Sequence, residues 1–359
     1  MPKKRINLPD KYKYSYEQLL QLLYYSGELP FDLYKYLDIT AINYQKQISN
    51  LVHKGMVRKV YGEQLGGYVL TVEGKAAIEN NTQIPKHNLE ANTRKREIQK
   101  RRRMQLYARL YALLDKEGIR YEQGKKSEIE RFEVNAERLE FYSAAEYKKL
   151  LQTQSASFKG TRVFGYMTGK ENLYPIYMTN SRLPEFSNVE VNFIGKIRND
   201  FFQGAGIRKA ILLCKDLEAV GNILTDYYNF LNDEGIKFGK GQDIFASNCF
   251  DDMYVVPTSE YFADYFYSIY EDREKTKLNL IKEHNIKIKV SKSVYVEDGF
   301  FSSTEPVLMM FNVEINRYKK FVSFVKDKKM HGYLMCYNHL APVIKSIHEK
   351  DDNITVIGF

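Results

Sequence analysis

Leu19, Leu20, Leu22 and Leu23 recur at the spacing of one helical face, and Gly27 follows where a helix terminus favours a left-handed residue. A second short helix is expected over Leu33 to Leu37. Asp38 then leads into Thr40, whose hydroxyl can accept from an unpaired amide of a first turn and so opens a helix over 40–54. On that helix Ile42, Ile48, Leu51 and Val52 are expected to pack inward, with Asn43, Tyr44, Lys46, Gln47, Asn50 and Lys54 pointing elsewhere. Gly55 stops it. Met56 to Val60 reads as a strand, residues 62–67 as a turn-rich tip, and Tyr68 to Leu70 as the returning strand.

Beyond residue 80 the pattern changes. Asn80 to Pro85 is a polar, proline-punctuated linker, and Leu89 to Glu117 reads as a long helix ending at Gly118. Its second half carries Leu106, Leu110, Leu113 and Leu114 on one stripe with Tyr107 and Tyr111 beside them, and is expected to pack with the following domain. Thr161–Met167 and Leu173–Met178 flank a turn and read as a β-hairpin. Short apolar runs at Ala210–Cys214, Met253–Val256, Val307–Phe311, Tyr318–Val325, Tyr333–Cys336 and Ile354–Ile357 are interspersed with helices at Leu217–Leu231, Glu260–Tyr270 and Ala341–His348. Alternating strands and helices predict an α/β domain with a mixed sheet. The expected organisation is 1–82, a helix-turn-helix with a two-stranded wing; 83–120, a connecting basic helix; and 121–359, the α/β domain.

Charge is unevenly placed along this plan. Residues 1–124 hold 22 Lys+Arg against 13 Asp+Glu, while residues 125–359 hold 32 of each, so the whole formal charge of +9 lies in the first third. Such asymmetry suits a polyanionic partner. The densest run is Arg94 to Arg103. With 44% apolar residues across 359, the chain can bury ample cores. Cys214, Cys249 and Cys336 are odd in number and far apart, which fits buried thiols of a reducing cytoplasm. No run approaches the roughly 18 apolar residues of a membrane span, and the basic N-terminus lacks the apolar stretch of a secretory signal, so a cytoplasmic location without a membrane partner is expected.

Two stretches carry a specific resemblance. Lys54-Gly55-Met56 after a helix, then Tyr68-Val69-Leu70-Thr71-Val72-Glu73-Gly74 after a wing, resemble the bacterial winged-helix superfamily over residues 14–80. The whole chain, through His87 to Asn92 before an Arg-rich helix, Phe141-Tyr142-Ser143, Gly160 to Gly165 and Tyr174-Pro175-Ile176-Tyr177, is similar to replication-relaxation proteins of plasmids and conjugative elements of Gram-positive bacteria. That resemblance implies an α/β domain related in shape to endonucleases, and a role in replication, mobilisation or control of transfer.

Double-stranded DNA is therefore the expected partner. Asn43, Lys46, Gln47 and Asn50 are the candidate base readers, because carboxamides pair with adenine and lysine reaches guanine. Thr40, Tyr44 and Lys54 are candidate phosphate contacts. Arg58, Lys59 and Gln64 of the wing would touch the flanking backbone, and Arg94, Arg96, Arg101, Arg102 and Arg103 would add nonspecific grip. A homodimer or other replication and transfer proteins are further candidate partners.

Catalytic motifs are sparse. None of the six histidines forms a His-x-His pair, no acid-x-lysine triplet follows a strand in nuclease fashion, and no phosphate-binding glycine loop is present. No cofactor or metal is expected. Asp251-Asp252 and Glu314 stand at strand ends as the acids to watch. A metal-dependent nuclease or relaxase whose carboxylates assemble only in three dimensions is the alternative enzyme reading, and a protein-binding winged-helix adaptor is the second.

Overall fold

The computed structural model describes residues 14–62, 65–79, 95–122, 139–144, 146, 162–169, 172–179, 181–184, 189–190, 192–195, 209–232, 250–270, 274–288 and 297–359. The chain is of the α/β class and divides into two compact units, Met1–Glu128 and Ile129–Phe359.

In the first unit, helix α1 (Tyr16–Ser26) starts at a capping box in which Ser15 and Gln18 satisfy each other's backbone amides. It ends at Gly27, whose φ of 87° lets its amide donate to the Leu23 carbonyl at 2.8 Å. A short strand, β1 (Leu29–Pro30), and a 3-10 turn (Leu33–Tyr36) lead to α2 (Ala41–His53). Strands β2 (Val57–Gly62) and β3 (Leu65–Leu70) form the wing, and β3 also pairs with β1, so the antiparallel sheet runs β1-β3-β2. Helix α3 (Val72–Glu79) follows closely. A side chain at Gly74 would place its first carbon 2.0 Å from the Met56 carbonyl oxygen, so only glycine permits this approach.

Helix α4 (Lys95–Lys116) closes the unit, and here the expectation for its second half is corrected. Leu110, Tyr111, Leu113 and Leu114 are buried within the first unit, where α4 packs on α1, β1, the 3-10 turn and β3. Polar contacts fix its register: the Tyr14 hydroxyl donates to Asp115 at 2.7 Å, Arg109 pairs with Asp32 at 3.1 Å, and Lys116 with Asp38 at 2.5 Å. The apolar stripe of α4 therefore completes the winged core.

The second unit holds two sheets among its described residues. The larger runs β11-β8-β7-β6-β5-β4, from β4 (Glu140–Ser143), β5 (Gly165–Gly169), β6 (Asn172–Met178), β7 (Lys209–Cys214), β8 (Asp252–Pro257) and β11 (Val313–Glu314). The β5–β6 hairpin forms as expected, β6, β7 and β8 are parallel, and β11 closes one edge antiparallel to β8. The smaller sheet, β13-β12-β10-β9, joins β9 (Gly299–Phe300), β10 (Pro306–Met310), β12 (Gly332–Cys336) and β13 (Ile354–Gly358), the last three parallel. The chain passes from one sheet to the other at Phe311-Asn312, where Asn312 is held by the Ser268 carbonyl.

Helices α5 (Leu217–Asn232), α6 (Phe262–Tyr270), α7 (Glu274–Glu283), α8 (Ile315–Asp327) and α9 (Ala341–Ile347) accompany these sheets. Tyr318 to Val325, apolar enough to suit a strand, lies inside α8, where Tyr318, Phe321, Val322 and Val325 make one buried stripe at helical spacing. Cys214 and Cys336 are buried at strand ends, and burial pushes both thiols up to about 12; Cys249 lies outside the described residues. Among the described residues no helix is long and apolar enough to cross a membrane.

Candidate nucleic-acid interface

Helix α2 is positioned by aromatic packing. Tyr44 is 0% exposed, its hydroxyl donates to the Pro30 carbonyl at 3.0 Å, and its ring lies 6.2 Å from that of Tyr68 on β3. Phe31 packs edge-on against Tyr68 at 4.9 Å. With Ile48 and Leu51, Tyr44 forms the inward stripe of α2. Tyr44 is therefore not a phosphate contact: its position on the helical wheel falls with Ile48 and Leu51, and desolvation holds its hydroxyl in the neutral, donating form.

The opposite face is correspondingly redefined. Ile42 is 79% exposed and Val52 36% exposed, so neither packs inward as their apolar character suggests. At 100° per residue, Ile42, Lys46, Ser49 and His53 make the stripe farthest from the buried one, flanked by Asn43 and Asn50; all six are exposed. Gln47 falls on the shoulder, and its side-chain oxygen is buried with no hydrogen-bond partner, so its carboxamide is turned toward the protein and away from a groove. Sequence reasoning thus located Asn43, Lys46 and Asn50 on this face but missed Ile42, Ser49 and His53. The turn spacing from Leu51 back through Tyr44 carries the signal that separates the two sets.

Thr40 caps α2, its hydroxyl oxygen accepting from the Asn43 amide at 3.2 Å, and a hydroxyl in that role can still donate its proton outward. Lys54 is exposed, with its ammonium 4.6 Å from the centre of the Tyr16 ring. In the wing, Arg58 and Lys59 are both exposed on β2, an edge strand of the sheet, while Val57 faces the core. From Ile39 to Gly62, 24 consecutive residues carry Lys46, Lys54, Arg58 and Lys59 and no Asp or Glu. This run supplies the outward face of α2 and the edge of the wing.

Arg101 departs most from expectation. It is 3% exposed and donates to both carboxylate oxygens of Glu28, itself 0% exposed, at 2.8 Å each. Gln105 donates to the same carboxylate at 2.7 Å and to the Gly66 carbonyl at 3.2 Å, and Arg101 also reaches the Val60 carbonyl at 3.3 Å. Arg101 is therefore a strut between α4 and the wing, unavailable to a phosphate. Arg102 next to it is exposed and Arg103 half-buried. Gln64, Arg94 and the side chain of Arg96 lie outside the described residues.

In the second unit, carboxylates from separate strands lie close together. Lys209 stands in register with Asp252, and Glu314 with Tyr254, so two acids and a lysine from three adjacent strands come together. All of their oxygens are engaged. The Asp252 carboxylate accepts from the amides of Met253, Asn316 and Arg317 at 2.7–2.8 Å and so caps the N-terminus of α8; Glu314 binds Lys209 at 2.5 Å and Arg317 at 3.4 Å. Among the described residues no three His, Cys, Asp or Glu side chains are placed to share a metal ion. The cluster is thus built as an internal fastening of β7, β8, β11 and α8.

Burial, and secondarily the charge of Glu314, push the Asp252 carboxyl up to about 6. Because the folded state holds that proton more tightly than an ordinary aspartate does, the stabilisation it gives is complete below about pH 4 and is lost as pH rises through about 6. Urea unfolding of the wild type and of Asp252→Asn at pH 4.5 and 6.5 should show the variant losing less stability across that interval. A steeper loss in the variant would contradict the assignment.

No family model, curated protein or solved structure matches the chain, so the surface made by α2 and the wing is interpreted from its own chemistry.

Proposed function

We propose that the first unit binds double-stranded DNA with the outward face of α2 in the major groove and the wing on the flanking backbone. The observation that supports this most directly is the acid-free run Ile39–Gly62, whose four cations and the carboxamides of Asn43 and Asn50 lie exposed on α2, on the turn after it and on the neighbouring edge strand. Lysine and arginine bind phosphates with release of condensed counterions, while asparagine side chains read adenine edges. Asn43, Lys46 and Asn50 are assigned base reading; Thr40, Lys54, Arg58, Lys59 and Arg102 are assigned backbone contact.

Membership of the winged-helix superfamily and service to mobile-element DNA, in a cytoplasmic protein, are part of the same proposal and rest on the motif resemblance. Replacing Lys46 and Asn50 together with alanine should weaken binding to a preferred duplex by roughly 2–6 kcal/mol, about 1–3 for each base contact, and weaken binding to an unrelated duplex far less. Anisotropy titrations at fixed salt measure both. Equal losses on the two duplexes would remove base reading from α2.

A further inference from the structure

We propose that Ile42 reads the C5-methyl group of a thymine in the major groove. The inference rests on the duplex-DNA reading above and names one element of its target. A single exposed apolar side chain is ordinary on a protein surface and by itself decides nothing. The setting of Ile42 is what decides. It is 79% exposed in the first turn of α2, directly after the Thr40 cap, and the N-terminal part of a recognition helix is the part that reaches base edges. It lies on the stripe of Lys46, Ser49 and His53, within the 24 residues that hold four cations and no carboxylate, so the partner that complements its surroundings is an anionic one.

An isoleucine can neither donate nor accept. Among the base-pair edges of the major groove, the thymine methyl is the apolar group, every other landmark being a hydrogen-bond donor or acceptor. The β-branched side chain is also stiff about its first torsion, so its methyl groups are presented in nearly fixed positions and little freedom is lost on contact. Neighbouring Asn43 and Lys46 would then read the adjoining bases.

The test uses the full-length chain and a duplex enriched from a randomised pool. Each thymine of that duplex is replaced in turn by deoxyuridine, which removes only the methyl group, and each series is titrated with wild type and with Ile42→Ser. The proposal expects one position at which deoxyuridine weakens wild-type binding about four-fold, the affinity equivalent of one buried methyl group. The same replacement should be neutral for Ile42→Ser, whose melting temperature should match wild type because the residue is exposed. The proposal is overturned if deoxyuridine is neutral at every position, as it would be were Ile42 a contact for another protein, or if its effect persists undiminished in Ile42→Ser. In either case steeply salt-dependent binding of the enriched duplex leaves the duplex reading standing. A pool that enriches nothing, together with salt-insensitive binding, removes both.

Discussion

Replacing Glu28 with alanine is expected to destabilise the first unit by about 3–5 kcal/mol, the range for breaking a buried ion pair from one side. The reason is the burial of both partners. Without Glu28, the Arg101 guanidinium at 3% exposure keeps only a 3.3 Å contact with the Val60 carbonyl, and Gln105 loses its 2.7 Å bond. A domain's whole stability is of order 5–15 kcal/mol, so the unfolding transition of this unit should fall sharply in urea. Arg101→Lys should also be costly, because an ammonium cannot reproduce the two parallel bonds of the guanidinium fork. The paired replacement Glu28→Met with Arg101→Met should recover most of the loss, since two matched apolar side chains leave no charge stranded. Additive losses in the pair would show that packing, and not the charge pair, ties α4 to the wing.

That fastening also explains where the sequence was legible and where it was not. The helix boundaries of α1 and α2 were readable because their signals are local: Thr40 as a cap, Gly27 as a terminus, and the leucines of α1 at helical spacing. The hairpin β5–β6 and the parallel strands were readable for the same reason. Partnerships between distant residues were not. Arg101 sits in a run of arginines that looks uniformly solvated, and only the fold brings it against Glu28, 73 positions earlier. Tyr44 and Ile42 exchange the places that their polarity suggests, because a tyrosine can bury its ring once its hydroxyl finds a carbonyl such as that of Pro30. Tyr318–Val325 stood out as a short apolar run, and it is the 3–4 spacing of Tyr318, Phe321, Val322 and Val325, not any alternation, that marks it as helix. The clustering of Asp252, Glu314 and Lys209 depends on β-pairing across more than a hundred residues and leaves no mark at the level of spacing.

For the proposed interface, raising monovalent salt from 50 to 200 mM should weaken duplex binding roughly 150-fold. Lys46, Lys54, Arg58, Lys59 and Arg102 are exposed cations on α2, the turn after it, the edge strand and α4. The four of these assigned to phosphates, Lys54, Arg58, Lys59 and Arg102, correspond to a slope of log affinity against log salt near −3.6, and a four-fold rise in salt multiplies that slope by about 0.6 decades. Arg58→Ala and Lys59→Ala should each flatten the slope by about 0.9 while leaving sequence preference intact, because a phosphate contact fixes register without reading bases. Arg101→Met should leave the slope unchanged wherever the unit remains folded, since its guanidinium already holds Glu28. Arg101 and Arg102 are adjacent and chemically identical, so this contrast separates a strut from a grip. A slope near zero would instead favour a surface that docks protein, for which counterion release is small, and would retire duplex DNA as the partner of α2.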